Sequence, residues 1–126
     1  MNSPKRQSFR YRTFQKDRFT ENLGQTTDLI VDTISSFLST YSDQLAKIET
    51  AITTGNLQDL EISAHALKGA VSNFYADEAY LIAWKLEQMG HDKVTTDTLS
   101  LFQQLTVAIN HLTLDLRDFL DEITNK

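Results

Sequence analysis

Apolar residues recur along most of the chain in alternating steps of three and four, the spacing of one face of an α-helix. From residue 26 onward, four such stretches follow one another, separated by short polar segments. The apolar positions of the first stretch are Ile30, Ile34, Phe37, Tyr41, Leu45, Ile48 and Ile52. The pattern predicts a long amphipathic helix that begins at Thr26 or Thr27 and ends near Gly55.

Three further stretches show the same spacing. The second begins after Asn56, the predicted N-cap, and its apolar positions are Leu60, Ala64, Leu67, Val71 and Phe74. The third runs from Asp77 to Gly90, and its predicted core positions are Leu81, Leu86 and either Trp84 or Ile82. The last begins near Thr96, and its apolar positions are Phe102, Leu105, Ile109, Leu112, Leu116, Phe119 and Ile123.

Four amphipathic helices joined by short connections can bury their apolar stripes only against one another. The chain is therefore predicted to be all-α, with the architecture of an antiparallel four-helix bundle. A short helix around Phe19 to Leu23 is expected before the bundle, lying across one end of it. Pro4 is the only proline, so no proline interrupts the later helices.

Composition limits the class of protein. A chain of 126 residues suits one domain with a real core. It contains no cysteine, which excludes disulfides and thiolate metal sites. It also has no apolar run long enough for a membrane span and no apolar signal-peptide core. We therefore expect a soluble cytoplasmic protein.

Charge is distributed unevenly along the chain. Residues 1–18 contain six basic residues against Asp17 alone, although the net charge of the whole chain is −5. This division predicts a basic N-terminal arm over 1–16 and the bundle domain over 17–126. The favoured interpretation is an arm that is mobile or folded back on the acidic bundle. The alternatives are a short strand through Phe9, Tyr11 and Thr13, or binding to nucleic acid or an anionic membrane.

The second helix carries a histidine on its outward face. At 100° per residue, His65 lies about 140° from the direction of the apolar stripe. The same outward strip continues through Gly69, Ser72 and Ala76, and Ile62 precedes the histidine by one turn. Solvated helix faces usually carry long charged side chains, so this strip of small residues predicts a surface that another protein approaches.

The residues around His65 are suited to phosphoryl transfer. A largely neutral imidazole has a free nitrogen lone pair that can attack phosphorus. Lys68, three residues later, can neutralise charge on the transferred group. Gly69 costs the helix about 1 kcal/mol relative to alanine, but it removes a side chain that would obstruct the incoming donor.

The stretch AHALKGAVSNFYA resembles the signature of histidine phosphotransfer (HPt) domains. The residues that carry the resemblance are His65, Lys68 and Gly69 in the motif, Asn73 and Ala76 in its tail, and Lys85, Leu86 and Glu87 at the end of the next helix. The resemblance covers about residues 19–123 and implies a four-helix bundle with the histidine on its second helix.

The resemblance also implies a function. His65 would be the phosphoacceptor and Lys68 would stabilise charge, with no kinase activity of the domain's own. The donor would be an aspartyl phosphate on a receiver domain of a response regulator or hybrid histidine kinase, and a second receiver would accept. The receiver would supply Mg²⁺, so no cofactor or metal site is expected in this chain. We expect a monomer that does not bind nucleic acid.

The expected contacts with the receiver lie on and after the second helix. The predicted binding residues are Glu61, Ile62, Gly69, Ser72, Tyr75 and Ala76. Tyr75 stands where the family usually has glycine, so it either adopts a left-handed backbone or directs its ring elsewhere. The alternative function is a non-catalytic adaptor on the same fold, which binds a receiver or kinase without phosphate turnover.

Overall fold

The computed structural model describes residues 11–125, which form five α-helices and no strand. Their bounds are α1 Lys16–Asn22, α2 Thr27–Thr54, α3 Leu57–Ser72, α4 Asp77–Asp92 and α5 Thr98–Thr124. Each of the four long helices packs against two others, α2 and α4 both contacting α3 and α5. The predicted all-α, antiparallel four-helix bundle with a short N-terminal helix is confirmed. No helix of the described range is long and apolar enough to cross a bilayer.

The ends of α2 and α3 follow local sequence signals. Gly55 ends α2 in a left-handed conformation with a φ of 70°, which glycine adopts without a steric cost. The side chain of Asn56 then accepts a hydrogen bond from the backbone N–H of Asp59 at 3.0 Å and caps α3 as predicted. These two residues make the tight reversal that places α3 antiparallel to α2.

The predicted apolar stripes supply most of the core. In α3 the buried residues are Leu60, Ala64, Leu67 and Val71, and Phe74 is buried just after it. In α2 and α5 most stripe positions are buried, while Tyr41, Ile52 and Ile123 are partly buried. Since the α3 stripe faces the core, the opposite face of that helix is left to solvent, as the sequence predicts.

Helix α4 buries a different face from the predicted one. Leu86 is buried as expected, but Leu81 and Trp84 are 49% and 42% exposed, and Ile82 is only partly buried. The residues that α4 buries are instead small, apart from Leu86: Ala79, Ala83 and Gly90. The assignment of Leu81 and Trp84 to the core was wrong because α4 lies so close to α3 that small residues fill the contact.

Residues 11–16 of the predicted arm are described: 11–15 pack on one end of the bundle and form no strand, and Lys16 begins α1. Tyr11 and Phe14 are buried, and their rings contact Phe119 at centroid distances of 5.6 and 5.9 Å. The backbone N–H of Gln15 donates to the carbonyl oxygen of Phe74 at 3.1 Å. These residues therefore contribute to the core. The rest of the arm, including Phe9 of the alternative strand, lies outside the described residues.

Candidate functional site

The imidazole of His65 projects from the outer face of α3. Its side chain is 67% exposed, while its neighbours Ala64 and Leu67 are buried. The helical period explains this placement, because a residue next to a core position lies about 100° around the helix from it. The ring is thus accessible to a partner while its helix is anchored in the bundle.

A carboxylate from α4 contacts both His65 and Lys68 of the predicted motif. One oxygen of Glu87, Oε2, lies 3.1 Å from Nδ1 of His65. The other, Oε1, lies 2.7 Å from Nζ of Lys68. Glu87 and Lys68 are mostly shielded from solvent, with side chains 14% and 17% exposed. The three side chains form a compact cluster, which we call the His65 cluster, across the α3–α4 contact.

The contact with Glu87 determines the tautomer of His65. An ionised carboxylate can only accept hydrogen bonds, so Nδ1 must carry the proton. In the neutral ring the other nitrogen, Nε2, then has its lone pair free. The exposed imidazole is therefore fixed with Nδ1 donating to the bundle and Nε2 available as a nucleophile.

Burial and hydrogen bonding act on Glu87 in opposite directions. Partial burial alone would raise the pKa of the carboxyl, but hydrogen bonds and charge attraction from Lys68 and His65 outweigh it and hold the pKa below its usual value. On the other side of the pair, the hydrogen bond to Glu87 raises the pKa of Lys68. Glu87 and Lys68 are therefore both charged at neutral pH.

This lowered pKa predicts a pH dependence of stability. Because the folded state holds the carboxyl of Glu87 more acidic than the unfolded state, the stabilisation is complete above the unfolded pKa of about 4.5. It is lost as the pH falls through the lower, folded pKa. Urea unfolding of wild type and Glu87→Gln from pH 7 to pH 2 should show a stability difference that shrinks below about pH 4.5. A difference that does not change with pH would contradict the charged pair.

The outward strip is open at Gly69 and Ser72. A Cβ built on Gly69 would meet nothing within 4 Å, so packing does not require glycine there. Ser72 is exposed, and its hydroxyl donates to the carbonyl oxygen of Gly69 at 2.6 Å. Ala76 departs from the prediction, because it is buried. The helical period that placed it outward stops when α3 ends at Ser72.

Large apolar residues are exposed on both helices that carry the His65 cluster. Ile62 on α3 is 59% exposed, and Tyr80, Leu81 and Trp84 on α4 are between 40% and 49% exposed. Trp84 precedes Glu87 by three residues, so it lies one turn away on the same side of α4. We call this exposed set the apolar rim; it belongs to the two helices that carry the His65 cluster and is not part of the core.

A second histidine–glutamate pair joins the same two helices. Nδ1 of His91, in the last turn of α4, lies 3.1 Å from Oε2 of Glu61 on α3. Glu61, a predicted binding residue, is thus paired within the bundle. Among residues 11–125, no group of three or more histidine, cysteine or acidic side chains is arranged to hold a metal ion.

The Hpt domain family model matches residues 32–125, most of the sequence and all of the His65 cluster. The chain belongs to the Hpt domain family. Its fold is similar to that of histidine-containing phosphotransfer protein B (HptB) from Pseudomonas aeruginosa PAO1, with a TM-score of 0.82 and 16% identity over 88% of this chain and 96% of that one. At this identity the likeness concerns the fold. A search of curated proteins returned no match.

This Hpt domain has tyrosine in the turn after α3. Tyr75 adopts a left-handed backbone with a φ of 54°, which costs a residue with a Cβ about 1 kcal/mol. Its ring does not project freely, since the guanidinium of Arg18 lies 4.3 Å from the ring centroid. The side chain therefore packs against α1, and its contribution to docking stays a prediction.

Two features of the site in this Hpt domain were not predicted from its sequence. Glu87 was noted only as part of the family resemblance, and Trp84 was placed in the core. The signal for Glu87 was available in the predicted topology, because antiparallel α3 and α4 bring residues 65 and 87 to the same level. Trp84 offered no such signal, since a large apolar residue at helical spacing is usually buried.

Proposed function

We propose that this Hpt domain is a phosphocarrier in which Nε2 of His65 accepts a phosphoryl group from a receiver-domain aspartyl phosphate and passes it to another receiver. The observation that carries the proposal is the hydrogen bond between Nδ1 of His65 and Glu87. In the neutral ring, this bond leaves the outward nitrogen unprotonated, and Lys68 contacts the other oxygen of the same carboxylate. Family membership is consistent with this role.

The transfer step follows from the state of the ring. The Nε2 lone pair attacks phosphorus, the bond between phosphorus and the aspartyl oxygen breaks, and the aspartate leaves as a carboxylate. Since Nδ1 keeps its proton, the ring becomes positively charged as the N–P bond forms. The carboxylate of Glu87, 3.1 Å from Nδ1, stabilises that charge. Transfer to a second receiver reverses these steps.

In this proposal Lys68 acts on the phosphoryl group. Its ammonium is held by Glu87 at 2.7 Å and lies one turn from His65 on the same helix. Its positive charge lowers the energy of the phosphoryl oxygens as charge is redistributed among them. In this proposal the receiver supplies the Mg²⁺ and the acidic residues that hold it.

The receiver docks on the apolar rim. The rim combines Ile62 of α3 with Tyr80, Leu81 and Trp84 of α4, and Gly69 leaves open space next to His65. Relay contacts must form and dissociate quickly, so we expect an interface at the small end of the usual range, with an apolar centre and a polar edge. Aromatic residues such as Trp84 often contribute most of the affinity in such a centre.

Incubation with a panel of phosphorylated receivers and Mg²⁺ tests the proposal. We expect one label that is acid-labile and base-stable, mapped to His65 by mass spectrometry, and its loss when an unphosphorylated second receiver is added. Binding to a receiver without any label on His65 would instead establish the adaptor function. Absence of both binding and label across the panel would contradict both functions.

The open strip at Gly69 predicts a steric effect on transfer. Gly69→Gln would project a long side chain beside the imidazole and should slow transfer from a phosphorylated receiver by about tenfold or more, since small misplacements at a reacting centre are costly. Gly69→Ala should increase the stability of the bundle by up to about 1 kcal/mol, because alanine is the better helix former and a Cβ there meets nothing. Stopped-flow transfer assays and urea unfolding measure the two effects. A Gln variant that transfers at the wild-type rate would show that the strip has no role.

A further inference from the structure

Helices α3 and α4 are in direct backbone contact at Gly90. A Cβ built on this residue would lie 2.7 Å from the backbone nitrogen of Glu61 and 2.8 Å from the carbonyl oxygen of Leu57, whereas ordinary contacts of such a carbon begin at about 3.4 Å. Both neighbours are backbone atoms, so no side-chain rotation can make room. Gly69, the other helical glycine in the described range, has open space around it.

The contact at Gly90 lies one helical turn from the His65 cluster. Glu87 precedes Gly90 by three residues on α4, and His65 follows Glu61 by four residues on α3. Because the two helices are antiparallel, both steps run in the same direction, about 5.4 Å along the pair. The distance between α3 and α4 at Gly90 therefore determines their distance at the level of Glu87, one turn away.

The pair of Glu61 and His91 lies at the level of the contact itself. Its 3.1 Å separation and the 3.1 Å separation of His65 and Glu87 are two bridges between the same helices, one turn apart. Hydrogen bonds weaken quickly once the heavy atoms are more than about 3.2 Å apart. Both bridges therefore depend on how closely α4 approaches α3.

We infer that Gly90 is a positioning residue for phosphoryl transfer. The absence of a side chain lets α4 approach α3 closely enough for Glu87 to hold Nδ1 of His65 and Nζ of Lys68 at once. The inference rests on the proposed function for its effect on transfer, but its effect on the His65 ring can be measured without any transfer. Gly90→Ala should push the helices apart by several tenths of an ångström at this level.

The first measurement is NMR of ¹⁵N-histidine-labelled protein at a pH where the rings are neutral. In the wild type, the ¹⁵N shifts of His65 should report a proton on Nδ1. In Gly90→Ala the population of that tautomer should fall, and the rate of transfer from a phosphorylated receiver should fall about tenfold. The melting temperature should also fall, although alanine is the better helix former.

Two controls separate positioning from general destabilisation. Ile109→Val removes a methylene from the core on α5, which packs on α2 and α4 rather than α3, and should lower the melting temperature without changing the His65 tautomer. Glu87→Ala should change the tautomer directly. Adding Gly90→Ala to Glu87→Ala should then produce no further change in the His65 shifts, because the group through which Gly90 acts is gone.

The outcomes distinguish this inference from the proposed function. A wild type that never accepts a phosphoryl group would refute the function but leave the tautomer result standing. An unchanged His65 tautomer in a folded Gly90→Ala variant would overturn the inference, even if transfer were slower. If Gly90→Ala does not fold, nuclear Overhauser effects between the Gly90 Hα protons and the Glu61 amide in the wild type test the close approach, and their absence would overturn it.

Discussion

His65→Gln should abolish phosphoryl acceptance while leaving the bundle folded. The amide of glutamine offers no lone pair that can attack phosphorus, and Nε2 of His65 is the nitrogen that the Glu87 hydrogen bond leaves free. The ring is 67% exposed, so we expect the free energy of unfolding to change by no more than about 0.5 kcal/mol. Transfer of radioactive phosphate from a labelled receiver and urea unfolding measure the two effects.

His91→Gln is the matched control for this substitution. The side chain of His91 is 64% exposed, and its Nδ1 has the same 3.1 Å contact with a glutamate oxygen as that of His65. His91 does not share its glutamate with Lys68, so we expect His91→Gln to accept phosphate like the wild type. Label on His91, or label retained by the His65 variant, would show that exposure and a glutamate partner do not identify the nucleophile.

Ile62→Asp should weaken binding of a cognate receiver by about 1–2 kcal/mol without unfolding the bundle, because it places a charge at the apolar centre of the proposed interface. Trp84→Ala should have an effect of at least the same size, since it removes the largest side chain of the apolar rim. Isothermal titration of each variant with one receiver gives the affinities, and circular dichroism verifies the fold.

Leu114→Asp is the matched control for docking. Leu114 is 59% exposed, as is Ile62, but it lies on α5, diagonally across the bundle from α3. The Leu114→Asp variant should bind the receiver normally.

Deletion of residues 1–10 should also leave binding intact, whereas a deletion through residue 16 would remove the buried Tyr11 and Phe14. Normal binding by Ile62→Asp together with lost binding in the 1–10 deletion would show that the basic arm, and not the apolar rim, recognises the receiver.

The sequence alone was sufficient to predict the fold and the face of α3 that carries His65. Both follow from helical periodicity, which is a local property of the chain: Leu60, Ala64, Leu67 and Val71 define a stripe, and the stripe determines where residue 65 points. The stop at Gly55 and the cap at Asn56 are local signals of the same kind. Local rules also have a limit, because they placed Ala76 outward on a helix that ends at Ser72.

Only the tertiary structure determined which face α4 buries and what holds His65. Periodicity favours the largest apolar residues for the core, but the close approach at Gly90 leaves Trp84 outside and buries alanines instead. The bridge from Glu87 to His65 and Lys68 joins residues on different helices, so it depends on the spacing and register of α3 and α4. Those quantities come from how backbones and side chains pack between helices, which no single helix encodes in its own periodicity.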